Sequence, residues 1–176
     1  MEIADGRRYD QIARLFHWLT AALMLLVIAS GLTMVRLGPG ADQNQLFDLH
    51  RAIGTTILAT MVLRLIWRLT HPALPLPATI SAPQRFAAEV VHWLLYGLIL
   101  VQPLLGWLGS NAFGAPIHVF GLFDLPVLMA KDEALAKILF GAHAFTGYAI
   151  IAVVSLHIAA ALYHLARGDG VMARMW

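Results

Sequence analysis

Residues 138–166 read ILFGAHAFTGYAIIAVVSLHIAAALYHLA, with Lys137 immediately before and Arg167 immediately after. No charged side chain interrupts the run, and about 20 residues of helix cross a hydrocarbon core of roughly 30 Å. The segment is long enough to span a bilayer and project beyond it. It contains His143, His157 and His164, and ionisable residues inside a membrane are costly and mark functional positions. His143 and His157 stand fourteen positions apart. Fourteen steps of about 100° return a side chain to within roughly 40° of its starting face, and the rise separates the two imidazoles by about 21 Å along the axis. No single metal ion can join them, but two sites stacked across a membrane can use one each.

The remaining sequence supplies three more spans. An uncharged run from Trp18 to Val35 is bounded by Arg14 and Arg36; a second stretch, Leu49 to Leu69, contains Arg51, Arg64 and Arg68; a third, Phe86 to Gly109, has Glu89 near its start. The expectation is an all-α, integral membrane four-helix bundle forming a single domain, with spans at about 14–36, 48–69, 85–109 and 137–166. Leu37-Gly38-Pro39-Gly40 and the polar Asp42 to Gln45 read as the first loop, and His71 to Pro77 as a Pro-rich connector that cannot continue the second helix. Residues 110–136 read as a long loop with a short interfacial helix, and Pro103 as a kink in the third span. The first span is too long for a signal-peptide core and its leader carries Glu2, Asp5 and Asp10, so it reads as a retained helix. No soluble domain is expected at either end.

Composition agrees. The chain has 176 residues, 60% of them hydrophobic and 12% charged, with a mean hydropathy of +0.73. Soluble chains carry about 25% charged residues, so a soluble enzyme, a disordered chain and a nucleic-acid binder are all excluded. The absence of cysteine rules out disulfides, thiolate metal sites, iron–sulfur clusters and cysteine nucleophiles. With four spans both termini lie on one side, which collects Arg7, Arg8, Arg14, Arg64, Arg68, Arg85, Arg167 and Arg174 against Arg36, Arg51, Lys131 and Lys137 on the other. The positive-inside rule then puts both termini in the cytoplasm.

Depth pairs the histidines. His17 lies at the inner end of the first helix, level with His157, and His50 begins the second helix at the outer level of His143. Two imidazole pairs with no carboxylate or thiolate beside them suit two bis-histidine haems, whereas zinc or copper wants more ligands clustered together. Gly31, Gly54 and Gly147 read either as gaps for a flat macrocycle or as plain helix packing. Arg64 shares the face of His50 at the inner level, where it either meets a haem propionate or snorkels to the interface. His92 reads as a packing or interfacial residue. His164 reads as a substitute ligand, a proton carrier to a quinone, or a residue meeting water, and His71 and His118 as surface residues.

Arg14-Leu-Phe-His17-Trp18-Leu19, His50-Arg-Ala-Ile-Gly54, and His143 with Ser155-Leu-His157 together resemble the bacterial cytochrome b561 family, and the likeness covers essentially the whole chain. It implies an integral membrane protein with two b haems, ligands at His17, His50, His143 and His157, and an arginine where Arg64 stands. Bis-histidine ligation leaves one-electron transfer as the chemistry, and the family links it to quinone, here ubiquinone. Some members are superoxide oxidases, while others are haem-bearing anchor subunits of hydrogenases, dehydrogenases or other respiratory complexes. Both readings stand here, beside a third in which the bundle holds no haem and the histidines serve packing or metal transport. The outer segments hold Arg36, Arg51, Lys131 and Lys137 against Asp42, Asp48, Asp124, Asp132 and Glu133. That balance gives an approaching anion no attraction, so the outer partner reads equally as superoxide or a redox protein.

Overall fold

A computed structural model describes residues 8–77 and 79–176. Helices α1 (Gln11–Met34), α2 (Ala41–Thr70), α3 (Ala82–Phe113) and α4 (Glu133–Arg167) make up most of it, followed by a 3-10 turn at Met172–Met175. Each of the four is long and apolar enough to cross a membrane, with mean hydropathies of 2.0, 1.4, 1.5 and 2.0 over their most apolar stretches. Large side chains such as Leu25, Leu63, Phe145 and Leu156 point outward and exposed, as a bilayer rather than water requires.

Direct packing runs α1 on α2, α2 on α3 and α3 on α4. The centre is a small cluster of Met24, Ile53, Ile57, Met61, Ile99 and Ile150. All four helices contribute to it, so it fixes the bundle at mid-height. Thr20 donates to the Phe16 carbonyl of its own helix at 2.6 Å, and so costs little when buried.

At one end of the bundle the termini and the α2–α3 connector are tied together. The Tyr9 amide donates to the Arg174 carbonyl at 3.1 Å, Arg174 Nη2 donates to the Pro75 carbonyl at 2.7 Å, and the Trp18 indole donates to the Met175 carbonyl at 2.8 Å. This is the terminal end. The other, the loop end, differs from expectation. Helix α2 starts at Ala41, so Asp42 to Gln45 are helical rather than loop; the Gln43 amide donates to the Met34 and Leu37 carbonyls at 2.9 Å each, closing the end of α1. Helix α3 runs unbroken through Pro103 to Phe113 and α4 begins at Glu133, so the connection is 114–132 rather than 110–136.

That connection holds a hairpin instead of a helix: β1 (His118–Val119) pairs antiparallel with β2 (Phe123–Asp124). Phe120 and Gly121 at its tip both have positive φ, 50° and 71°, the twist a tight hairpin needs. The segment is held down by Arg51, which donates to the Pro116 carbonyl at 3.1 Å, and by Asn111, whose side chain accepts from the Leu128 amide at 2.7 Å.

Asp10 caps α1, accepting from the Ala13 amide at 2.9 Å and from the Trp67 indole at 3.3 Å. Slight desolvation works against its charge, but the Ala13 amide, the Trp67 indole and the Ile12 amide outweigh it and hold the carboxyl below its ordinary value. A lowered carboxyl stabilises the fold above the unfolded pKa and loses that contribution as pH falls through the folded one. Asp10→Ala is therefore expected to cost about 0.5–2 kcal/mol in detergent melts near pH 7, with the difference from wild type shrinking as the buffer is acidified below the carboxylate range.

Candidate functional site

Because α1 meets α2 and α4 meets α3, α1 and α4 face each other across a cleft. It holds about 890 Å³ of atom-free space, part of it open to the side, lined by Val27 and Gly31 of α1, His50 of α2, Gln102 of α3, and His143 and Gly147 of α4. The polar atoms in this wall are few and converge, the usual pattern of a ligand pocket.

At the loop end the rings of His50 and His143 meet with centroids 6.0 Å apart and planes at 76°. At the terminal end His17 and His157 meet at 6.2 Å and 60°. The helices thus bring together both pairs that depth suggests. A ligand nitrogen lies about 2.0–2.1 Å from a first-row metal, and bonds of about 1.33 Å put that nitrogen roughly 1.1 Å from the ring centre. Two axial imidazoles therefore leave centroids about 6.3 Å apart, close to both observed separations. Among the described residues no group of three His, Cys, Asp or Glu side chains could hold a metal ion.

The tautomers at the loop end follow from their partners. His50 Nδ1 contacts the Val27 carbonyl at 3.0 Å, and His143 Nδ1 contacts the Gln102 carbonyl at 3.0 Å. A carbonyl only accepts, so each Nδ1 carries the proton and each Nε2 keeps its lone pair, the form a metal requires. Ser30 Oγ also lies 3.3 Å from His50 Nδ1. Gln102 grips α4 twice more: its amide donates to the His143 carbonyl at 2.9 Å, and its side-chain oxygen accepts from Thr146. This site fits a bis-imidazole cofactor in spacing, tautomer and apolar surroundings.

The terminal end is set differently. Arg64 Nη2 donates to His17 Nδ1 at 3.1 Å, with the guanidinium 5.4 Å over the Tyr96 ring. Arg64 therefore turns toward the site rather than snorkelling to the interface. A guanidinium only donates, so the proton of a neutral His17 stands on Nε2. The spacing fits a bis-imidazole cofactor here, and the tautomer fits once Arg64 has an anion to turn to. His92, read from sequence as a packing or interfacial residue, packs its ring 5.4 Å from that of His157, nearer than His17. Its neighbourhood depends on how α3 crosses α4, which spacing along one helix does not encode. His164, one potential substitute for His157, is instead paired with Asp169 at 2.6 Å and half-buried. It borders a small polar pocket with Gln84, Tyr163 and Arg167. His71 stacks on Trp67 at 3.7 Å, and His118 pairs with Asp124 on the hairpin at 2.6 Å.

Of the glycines singled out, Gly54 faces open space, Gly147 lies against the Gln102 amide, and Gly31 lies against the His50 ring. Gly106 was missed: a Cβ there would stand 3.1 Å from His143 Cε1. The signal exists only across helices, since the histidine it serves is on α4.

Comparison with known proteins now decides the family. Residues 8–176 match the model of the family described as prokaryotic cytochrome b561. The chain belongs to the prokaryotic cytochrome b561 family. It is 34% identical over 171 residues to cytochrome b561 homolog 2 of Escherichia coli (strain K12), covering 96% of this chain and 90% of that one. It is 28% identical over 171 residues to the probable superoxide oxidase CybB of Yersinia pestis, covering 96% of each. This cytochrome b561 family member is therefore a multi-pass membrane protein of electron transfer, and its family implies b-type haem.

Proposed function

We propose that this protein holds two b haems, an outer one between His50 and His143 and an inner one between His17 and His157. It would pass single electrons between the faces of the bacterial inner membrane, ending at ubiquinone. The observation that carries the reading is the repetition of one imidazole spacing, 6.0 and 6.2 Å, at two heights of one continuous α4.

Haem b between two imidazoles supplies one-electron transfer with no open position for oxygen chemistry. The chain's own residues do the rest. The Val27 and Gln102 carbonyls hold the Nδ1 protons of His50 and His143 and direct both Nε2 lone pairs into the cleft. The apolar walls, Ile57 and Ile150 among them, keep water out. With haem bound, Arg64 would turn from His17 to a propionate and offset its charge in a low-dielectric setting, leaving His17 free to carry its proton on Nδ1 and present Nε2. Quinone reduction also consumes protons. His164 with Asp169 beside the polar pocket at the terminal end is the titratable pair placed to carry one from the cytoplasm.

The donor at the outer face is read as superoxide, which the name of the Yersinia pestis relative supports. A second reading, a haem-bearing anchor subunit of a larger dehydrogenase, hydrogenase or respiratory complex, is favoured by the hairpin end, where Phe120, Leu122, Phe123 and Val127 are all exposed.

Reduced-minus-oxidised spectra with haem quantification on detergent-purified protein should give two b haems per chain; none would end the proposal. His143→Ala should remove the outer haem and spare the inner, and loss of neither would break the pairing. Arg64→Ala should deplete the inner haem selectively, with the outer retained. Purified protein supplied with superoxide and a soluble ubiquinone analogue should reduce the quinone unaided. Dependence on a second subunit would select the anchor reading. Because the chain has no cysteine, Leu122→Cys should react with a membrane-impermeant thiol reagent from the periplasmic side alone if both termini are cytoplasmic.

A further inference from the structure

Helices α1 and α3 meet the outer imidazoles in the same way. His50 of α2 has Nδ1 on the Val27 carbonyl and lies over Gly31, where a Cβ would come within 2.9 Å of its Cε1 and 3.2 Å of its Nδ1. His143 of α4 has Nδ1 on the Gln102 carbonyl and lies over Gly106, where a Cβ would come within 3.1 Å of Cε1 and 3.3 Å of Nδ1. In each case the glycine follows the carbonyl by four residues, so acceptor and bare backbone share one helix face. The ring edge between Nδ1 and Cε1 sits in the gap.

Glycine within a helix is less favourable than alanine, and other glycines here, Gly54, Gly97 and Gly141, have nothing within 4 Å of a Cβ. At Gly31 and Gly106 the missing methyl is what lets the ring reach its carbonyl. The same arrangement arises independently in two helix pairs of different sequence. The terminal-end pair has a different partner at His17, whose Nδ1 receives Arg64.

We infer that Gly31 and Gly106 are positioning residues, each the floor of a socket that sets the plane and the protonated nitrogen of one outer imidazole. Their joint effect is to cross the two rings at 76°. The inference rests on the proposed outer haem between His50 and His143. A methyl in either socket tilts its ring and stretches the Nδ1–H bond to the carbonyl. That lowers the basicity of the imidazole and so disfavours the oxidised metal.

The test uses the full chain purified in detergent as wild type, Gly31→Ala, Gly106→Ala and, as a control in open space, Gly97→Ala. Haem content, the potentiometric midpoints and the low-temperature electron paramagnetic resonance of the oxidised protein are read together, since the largest g value of a bis-imidazole haem follows the angle between the ring planes. Gly106→Ala is expected to shift the g value and raise the midpoint of one haem alone, the one that His143→Ala removes. Gly97→Ala should match wild type. Gly31→Ala, the tighter seat, should do the same or lose that one haem. Two haems with wild-type signals in both variants would overturn the inference, as would equal shifts at both haems or loss of both haems in both variants. Failure of the underlying reading is separate, because it would already appear in the wild type as fewer than two haems or as an outer haem indifferent to His143→Ala.

Discussion

An imidazole that is to offer a bare Nε2 must give its Nδ1 proton to an acceptor, and within a bilayer the nearest acceptors are backbone carbonyls of the next helix. Reaching one means laying the ring edge into the groove of that helix, close enough that a side chain would be in the way. Much of the bundle follows from this requirement. Helices α1 and α2 pack tightly, as do α3 and α4, because each pair encloses one ring and one carbonyl. What remains between the two pairs is the cleft, with Ile57 of α2, Ile99 of α3 and Ile150 of α4 in its wall.

The two ends of the bundle differ in electrostatic character. At the loop end both rings are held by neutral carbonyls. At the terminal end Arg64, His17, His92 and His157 gather, with His164 and Asp169 beyond them. Carbonyl-held neutral rings and a gathering of ionisable side chains thus stand at opposite ends of α4, and the polar end is also the one at which the termini converge.

The four helices were legible because a membrane span announces itself by what it excludes, and charged residues mark nearly every boundary. Their ends were less so. The polarity of Asp42 to Gln45 cannot distinguish a loop from a helix that outgrows the membrane, and the hairpin has Phe120-Gly121 at its tip rather than the Asn-Gly or Asp-Gly that usually signals one. The four histidines stood out because period and depth along single helices locate them. Their carbonyl partners, the seat at Gly106 and the approach of His92 to His157 were hidden, since each depends on which residue of a second helix faces the first. Glycine spacing drew attention to Gly31, but its contact with the His50 ring, like that of Gly106 with His143, is visible only across helices.

Helix α4 carries one member of each imidazole pair on a single rod of 35 residues, while the opposite members sit on two different helices. Rotating that rod about its axis, or sliding it by one residue, would swing His143 and His157 out of line together. The register of α4 is thus checked at two heights, and an error accepted at one would be exposed at the other. A helix with almost no polar face to orient it in lipid acquires a defined azimuth from two imidazoles about four turns apart.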